Sequence, residues 1–367
     1  MNTYPILIIG GGPGGLSLAC ELGWRKVPYL LLERTSSVGN TFRTMAANTS
    51  YGPWLNNALP HTRVPWTRLL RRCRREEFAQ YLSEYAISND LACRTGVEVL
   101  SVNRDGVGFR LTTAQGELRA PLVVNATGYF SNPYTPRFEG AAESGIPQMH
   151  AASFREPETV RNLLRSNRGR ILVVGKRLTA GETMQALHRA GYEVALSHRS
   201  PIDFGPSDLM EACMSPLTFL LEETLVRLPG SKRPENLNVR MNGGEQRRLV
   251  ETGAVPCFPE IARFGQDTVT FVDGREARFD LVIYATGYRP ALKHLEGLVP
   301  FDPDRGYPHL NGMECRDVPG LFFLGLIGLR TFRSQFLRGL REDAGRLADT
   351  LADRVKEVLP SLVEAVR

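Results

Sequence analysis

Two stretches of the chain carry residues spaced to hold phosphate. The first is Gly10-Gly11-Gly12-Pro13-Gly14-Gly15, between the apolar run PILIIG and the helical pattern LSLACELGWRK. In such a GxGxxG turn, Gly10 permits the tight turn, Gly12 lets a pyrophosphate approach the backbone, and Gly15 lets helix and strand pack closely. Gly14 lies in the same loop, and the helix N-terminus adds unpaired N–H groups and a positive dipole. A second apolar run, VPYLLLE, ends in Glu33, 23 residues after Gly10, with Arg34 next. A carboxylate there can accept hydrogen bonds from both hydroxyls of an unphosphorylated ribose.

The second stretch is ILVVGKRLTAGE, residues 171 to 182. Gly175 opens the turn, but Lys176 and Arg177 follow it, and Arg177 stands where a second glycine is expected. Two readings stay open: a side chain crowds the pyrophosphate out, or the two cations grip it. Thr179 keeps a hydroxyl near the helix start and Gly181 keeps a small residue for packing. The next strand, YEVALSHRS, ends at Arg199, 24 residues after Gly175. Arg199 with Ser200 suits a 2′-phosphate; the alternative is an exposed strand-end arginine. The pair of modules points to FAD in the first and NADPH in the second.

The remaining composition leaves the chemistry to cofactors. There is no nucleophilic triad and no paired-carboxylate motif. Six cysteines form no CxxC pair and nothing matches zinc-ligand spacing, so no metal is expected. The net charge is +6, yet only five of the 45 basic residues are lysines, an arginine bias that fits genome composition better than nucleic-acid binding. One basic cluster, RLLRRCRREE (68–77), reads as an exposed helix surface or as a contact for an anionic substrate or the cofactor phosphates. No apolar run reaches the roughly 18 residues of a spanning helix, and the N-terminus lacks the charged start of a signal peptide. A cytoplasmic protein is expected. Neither nucleic acid nor membrane is an expected partner, and a homodimer is the candidate assembly.

With both modules read, the chain resembles the flavin-containing monooxygenases, a family with FAD and NADPH domains related to Baeyer-Villiger and plant indole-pyruvate monooxygenases. VGNTFR (38–43) is similar to the family's GDxW-type stretch along the FAD, with Asn40-Thr41-Phe42 replacing the usual Asp and Trp; Thr41 is carried over as an FAD contact. In NTSYGPWLNNALP (48–60), Asn48 matches a family asparagine beside the flavin and is the catalytic-site residue that the resemblance implies; by residue type alone it is a turn residue. FAQYLSEYAISNDLACRTGVEVLSV (78–102) resembles the family's helix and following strand, which implies that the Val97 region meets the adenine. Two ATGY segments, LVVNATGYFSNPYTP (122–136) and LVIYATGYRP (281–290), link the domains and pass near the nucleotides in the family, which assigns Ala126, Thr127 and Gly128 to cofactor binding. FEGAAESGIPQMHAASFREP (138–157) is similar to the family fingerprint, although four residues rather than three separate Gly145 from His150. His150 is read equally as a structural hydrogen-bonding residue. VPGLFFLGLIG (318–328) is similar to the strand that returns to the FAD domain, with Gly325 near the flavin.

The resemblance implies an α/β fold with two Rossmann-like domains, the NADPH domain (159–289) inserted in a discontinuous FAD domain (1–158 and 290–367). Met210, Met214, Phe219 and Leu220 read as a helical core face or as a substrate cavity lining. The implied activity is monooxygenation: NADPH reduces FAD, and a flavin C4a-(hydro)peroxide transfers one oxygen atom to the substrate. An FAD-dependent oxidase or dehydrogenase with a lost or remodelled NADPH site is the enzymatic alternative, and a nucleotide-binding sensor the non-enzymatic one. A disulfide reductase of related fold would need an adjacent cysteine pair.

Overall fold

The computed structural model describes residues 2–45, 52–106, 108–164, 169–207, 240–303 and 306–366. Asn48, Met210, Met214, Phe219 and Leu220 lie outside them. The chain divides into two compact units, one of Met1–Arg43, Tyr51–Asn132 and Arg289–Arg367, the other of Thr44–Ser50 and Pro133–Tyr288.

In the first unit, the run Ile6–Ile9 is buried at every position, as a strand covered on both faces must be. It pairs in parallel with Leu30–Leu32 on one side and Leu122–Asn125 on the other. Cys93–Arg94 extends the sheet beyond Leu30–Leu32, and Leu321–Phe323 extends it beyond Leu122–Asn125. Two short antiparallel strands, Leu310–Asn311 and Glu314–Cys315, complete seven strands among the described residues. The helix Pro13–Trp24 packs between this sheet and the C-terminal helix Leu337–Val366. A second sheet carries the meander Val99–Asp105, Gly108–Thr113 and Gly116–Ala120.

The second unit repeats this plan. Arg170–Val174 is flanked by Glu193–Ser197 and then Cys257–Phe258 on one side, and by Leu281–Tyr284 and then Gln148–His150 on the other, all parallel. One face is sealed by the helix Leu178–Arg189 through Ala180, Met184 and Leu187. The opposite face packs on a three-stranded antiparallel sheet through Phe258, Phe264, Phe271 and Phe279. Both units are therefore Rossmann-like, and the second is inserted in the discontinuous first. The chain passes between them at Asn132–Pro133 and returns at Tyr288–Arg289.

The basic cluster differs from its sequence reading. Residues 69–74 are not helical, because their backbone bonds to residues 52–55: Trp54 N–H to Arg71 O at 3.1 Å, Leu55 N–H to Leu69 O at 3.0 Å, and Cys73 N–H to Gly52 O at 3.4 Å. The helix begins only at Arg75 and runs to Ser88. Phe154, matched to the family fingerprint, is fully buried in the core of the second unit.

Candidate functional site

Parallel sheets offer ligands a crevice beyond the carboxyl ends of their strands. In the first unit this edge is built by Gly10, whose φ of +109° is open to glycine and costly for other residues. A Cβ on Gly10 would stand 2.7 Å from the Ala126 carbonyl oxygen, and one on Gly15 would stand 2.0 Å from the Gly10 carbonyl oxygen. Both glycines are thus required by packing. Gly12 is different: a Cβ there would meet nothing within 4 Å, so its side-chain space opens beside the N-terminus of the helix it caps. Gly14 lies in the first turn, in ordinary contact range of Leu324 and Leu340.

Glu33 closes this edge. Its carboxylate accepts the Gly11 N–H at 2.7 Å and, through the other oxygen, the Thr35 N–H at 2.8 Å and the Thr35 hydroxyl at 2.7 Å. The Val97 N–H donates to the Glu33 carbonyl at 2.9 Å. Gly10, Gly11, Glu33 and Val97 are therefore brought together, with Arg34 exposed beside them. Thr41 sits in the short helix Asn40–Thr44. Gly325, with φ +79°, follows Leu321–Phe323, whose Phe323 is the register partner of Asn125. The turns of Gly10, Ala126 and Gly325 all leave the same edge of one sheet.

The second unit builds the same edge with different side chains. Gly175 has φ +151°, and a Cβ on it would stand 2.5 Å from the Ala285 carbonyl oxygen. The two ATGY alanines thus do one job. Each N–H, Ala126 to Ile9 O and Ala285 to Val174 O, both at 2.8 Å, continues the ladder beside a glycine turn, and each carbonyl leaves that turn no room for a side chain. Arg177 is the N-cap of Leu178–Arg189, as Gly12 is of Pro13–Trp24. Lys176 donates from Nζ to the Pro201 carbonyl at 3.0 Å, so residues 176–177 and 199–201 converge. Partial burial, and then the neighbouring charge of Arg199, hold the Arg177 guanidinium below its usual range. Neither arginine forms an ion pair among the described residues, so the edge is electropositive. Thr179 is exposed in the first turn. Gly181 is needed for a helix contact: a Cβ would stand 2.0 Å from Gln246 Oε1.

Register also identifies a residue that the sequence reading missed. Ile9 pairs with Leu32 and Val174 with Ser197, while Gly10 and Gly175 donate to Leu32 O at 2.8 Å and to Ser197 O at 2.9 Å. The residue that follows is Glu33 in the first unit and His198 in the second. Arg199 is then the counterpart of Arg34, and Ser200 of Thr35. The signal was present in the chain: 23 residues after Gly175 is His198, not Arg199.

The ATGY threonines have matching roles. The Thr127 hydroxyl donates to the Ala291 carbonyl at 2.8 Å while the Ala291 N–H donates to Gly128 O at 2.9 Å. In the second unit the Thr286 hydroxyl donates to Tyr134 O at 2.5 Å and the Tyr134 N–H to Gly287 O at 2.9 Å. Gly128 has φ +64° and Gly287 has φ +86°, so both turns need glycine. His150 accepts the Ala152 N–H at Nδ1 (3.0 Å), which leaves Nε2–H to donate to Gly287 O (3.0 Å). Both ring nitrogens are used structurally, and burial pushes the imidazole below its ordinary pKa. His294, half-buried, bonds through Nε2 to the Asn125 carboxamide at 2.8 Å, and burial lowers it to about 4.

Among the described residues no group of His, Cys, Asp and Glu could hold a metal ion, and Cys20, Cys73, Cys93, Cys257 and Cys315 are all free thiols. No helix of the described residues is long and apolar enough to cross a membrane.

Residues 7–219 match the family model of the pyridine nucleotide-disulphide oxidoreductases. The chain is 27% identical over 405 residues to a probable indole-3-pyruvate monooxygenase of Arabidopsis thaliana, covering 98% of this chain and 90% of the relative. It is 25% identical over 360 residues to an uncharacterized CzcO-like oxidoreductase of Geobacillus kaustophilus, covering 95% and 99%. A flavin-containing monooxygenase from Stenotrophomonas maltophilia shares the fold, with a TM-score of 0.79 at 22% identity over 96% of this chain and 99% of that one.

Proposed function

The chain belongs to the pyridine nucleotide-disulphide oxidoreductase family, and we propose that it is an FAD-dependent, NADPH-using monooxygenase that places one oxygen atom of dioxygen in a small organic substrate. The observation that carries this reading is the duplicated edge: two glycine turns, each mated to an ATGY alanine, one closed by a carboxylate and the other by cations.

The first unit fits FAD. The open space at Gly12 and the N–H groups of the first helical turn suit a pyrophosphate. Glu33 is already oriented by Gly11 and Thr35, and the carboxylate oxygen bonded by Gly11 alone keeps a lone pair for a ribose hydroxyl. Val97 would lie at the adenine, with Arg34, Thr41, Ala126, Thr127, Gly128 and Gly325 along the rest of the cofactor. FAD, when bound, would supply the redox chemistry between NADPH and dioxygen. The second unit is the NADPH domain on this reading: Gly175, Lys176, Arg177 and Thr179 hold the pyrophosphate, and Arg199 with Ser200 the 2′-phosphate. Asn48 is the residue proposed beside the flavin ring. The chain's own work is binding, orientation and exclusion of water, so it needs no acid-base pair. The enzyme would act in the cytoplasm on small molecules, without nucleic acid or membrane.

Oxygen transfer is tested with labelled dioxygen, NADPH and a panel of amines, sulfides and 2-oxo acids. One class should accelerate NADPH consumption and take up a single labelled oxygen atom. Hydrogen peroxide as the sole product across the whole panel would contradict the proposal.

A further inference from the structure

His198 is the structural counterpart of Glu33, and its bonding inverts that residue's polarity. Both side chains fold back on the residue two positions on. Glu33 accepts the Thr35 N–H at 2.8 Å, whereas His198 lies with Nδ1 3.0 Å from the Ser200 carbonyl. A carbonyl only accepts, so Nδ1 carries the proton and Nε2 is the nitrogen left for a ligand. No described group bonds Nε2. The ring is half-buried, and its backbone N–H is fixed to Phe258 O at 3.1 Å. The charged neighbours converging on this edge are Lys176, Arg177 and Arg199, and none has a carboxylate partner among the described residues.

We infer that His198 is a specificity-determining residue of the second unit, placed by register where Glu33 meets ribose hydroxyls in the first, and that it donates from Nε2–H to the 2′-phosphate of NADPH. The inference rests on the reading of this unit as the NADPH domain. A carboxylate at the position would repel a 2′-phosphate. With Nδ1 held by the Ser200 carbonyl, donation from Nε2 engages the imidazolium form, which makes a charge-assisted hydrogen bond to that dianion. The ring then acts together with Arg199 and leaves an unphosphorylated ribose without any comparable gain.

The test is equilibrium titration of the full-length protein with NADPH and, separately, with NADH, for wild type, His198→Ala, His198→Gln and His198→Glu. Loss of one charge-assisted hydrogen bond predicts NADPH binding weaker by about tenfold in His198→Ala, with NADH changed by less than about twofold. His198→Gln keeps a donor and should fall between wild type and alanine. His198→Glu should lose the most NADPH affinity and bind NADH at least as well as wild type does. A merely structural histidine would weaken both dinucleotides by the same factor, and that result, or an unchanged NADPH/NADH ratio in all three variants, overturns the inference while leaving the NADPH domain standing. Wild type that binds neither dinucleotide overturns the domain reading and the inference together.

Discussion

Gly12 and Arg177 cap the same helix in two copies of one turn, and their difference can be tested without disturbing the fold. Gly12 has φ −82° and free space around its missing Cβ, so Gly12→Val should fold normally. FAD affinity should nevertheless fall by tenfold or more, about 1.4 kcal/mol or above, because the side chain fills the space the pyrophosphate would take. Wild-type FAD content in that variant would remove the phosphate assignment. For Arg177 the guanidinium shares its edge with Arg199 and has no ion-pair partner among the described residues, and the gripping reading is the one proposed. Arg177→Gly should therefore bind NADPH no more tightly than wild type, and a clear gain in affinity would show that the side chain blocks the site. Arg199→Ala should weaken NADPH by about tenfold to a hundredfold and spare NADH, as loss of bonds to a charged group predicts.

At the scale of elements, the glycine turns and ATGY segments were legible because their constraints are local. A glycine with positive φ and a strand of four buried residues announce themselves in a few letters. What was not legible depended on pairing. Residues 69–74 carry helix-compatible residues, yet their backbone bonds to 52–55, a choice no short window reveals. His198 was passed over because the charge of Arg199 drew the reading one residue past the true register. Phe154, within the segment similar to the family fingerprint, is a core residue, so Phe154→Ala should cost about 3–5 kcal/mol, read as a lower denaturation midpoint in urea. The packing of strand against helix is tested by Gly15→Ala. A Cβ 2.0 Å from the Gly10 carbonyl forces the helix to shift, so stability should fall by about 1–3 kcal/mol, where Gly12→Ala should cost far less.

For the molecule as a whole, the half-buried histidine bonded to Asn125 ties stability to pH. Burial lowers His294 from its ordinary 6.5 to about 4 in the folded chain, so between these values the unfolded chain binds more protons. Its contribution is complete above pH 6.5, declines as the pH falls towards 4, and levels off below, a loss on the order of 3 kcal/mol. His294→Gln should flatten that part of the stability profile, and an unaltered profile would mean that other groups set it. The central claim, however, is that one chain carries an FAD site and an NADPH site that exchange electrons. It is tested most directly by mixing the purified protein with NADPH in the absence of oxygen and following the visible absorbance of bound flavin. The account predicts yellow protein that bleaches with NADPH, bleaches more slowly with NADH at equal low concentration, and regains its colour when air is admitted. Protein that carries flavin but keeps its colour at saturating NADPH would contradict it.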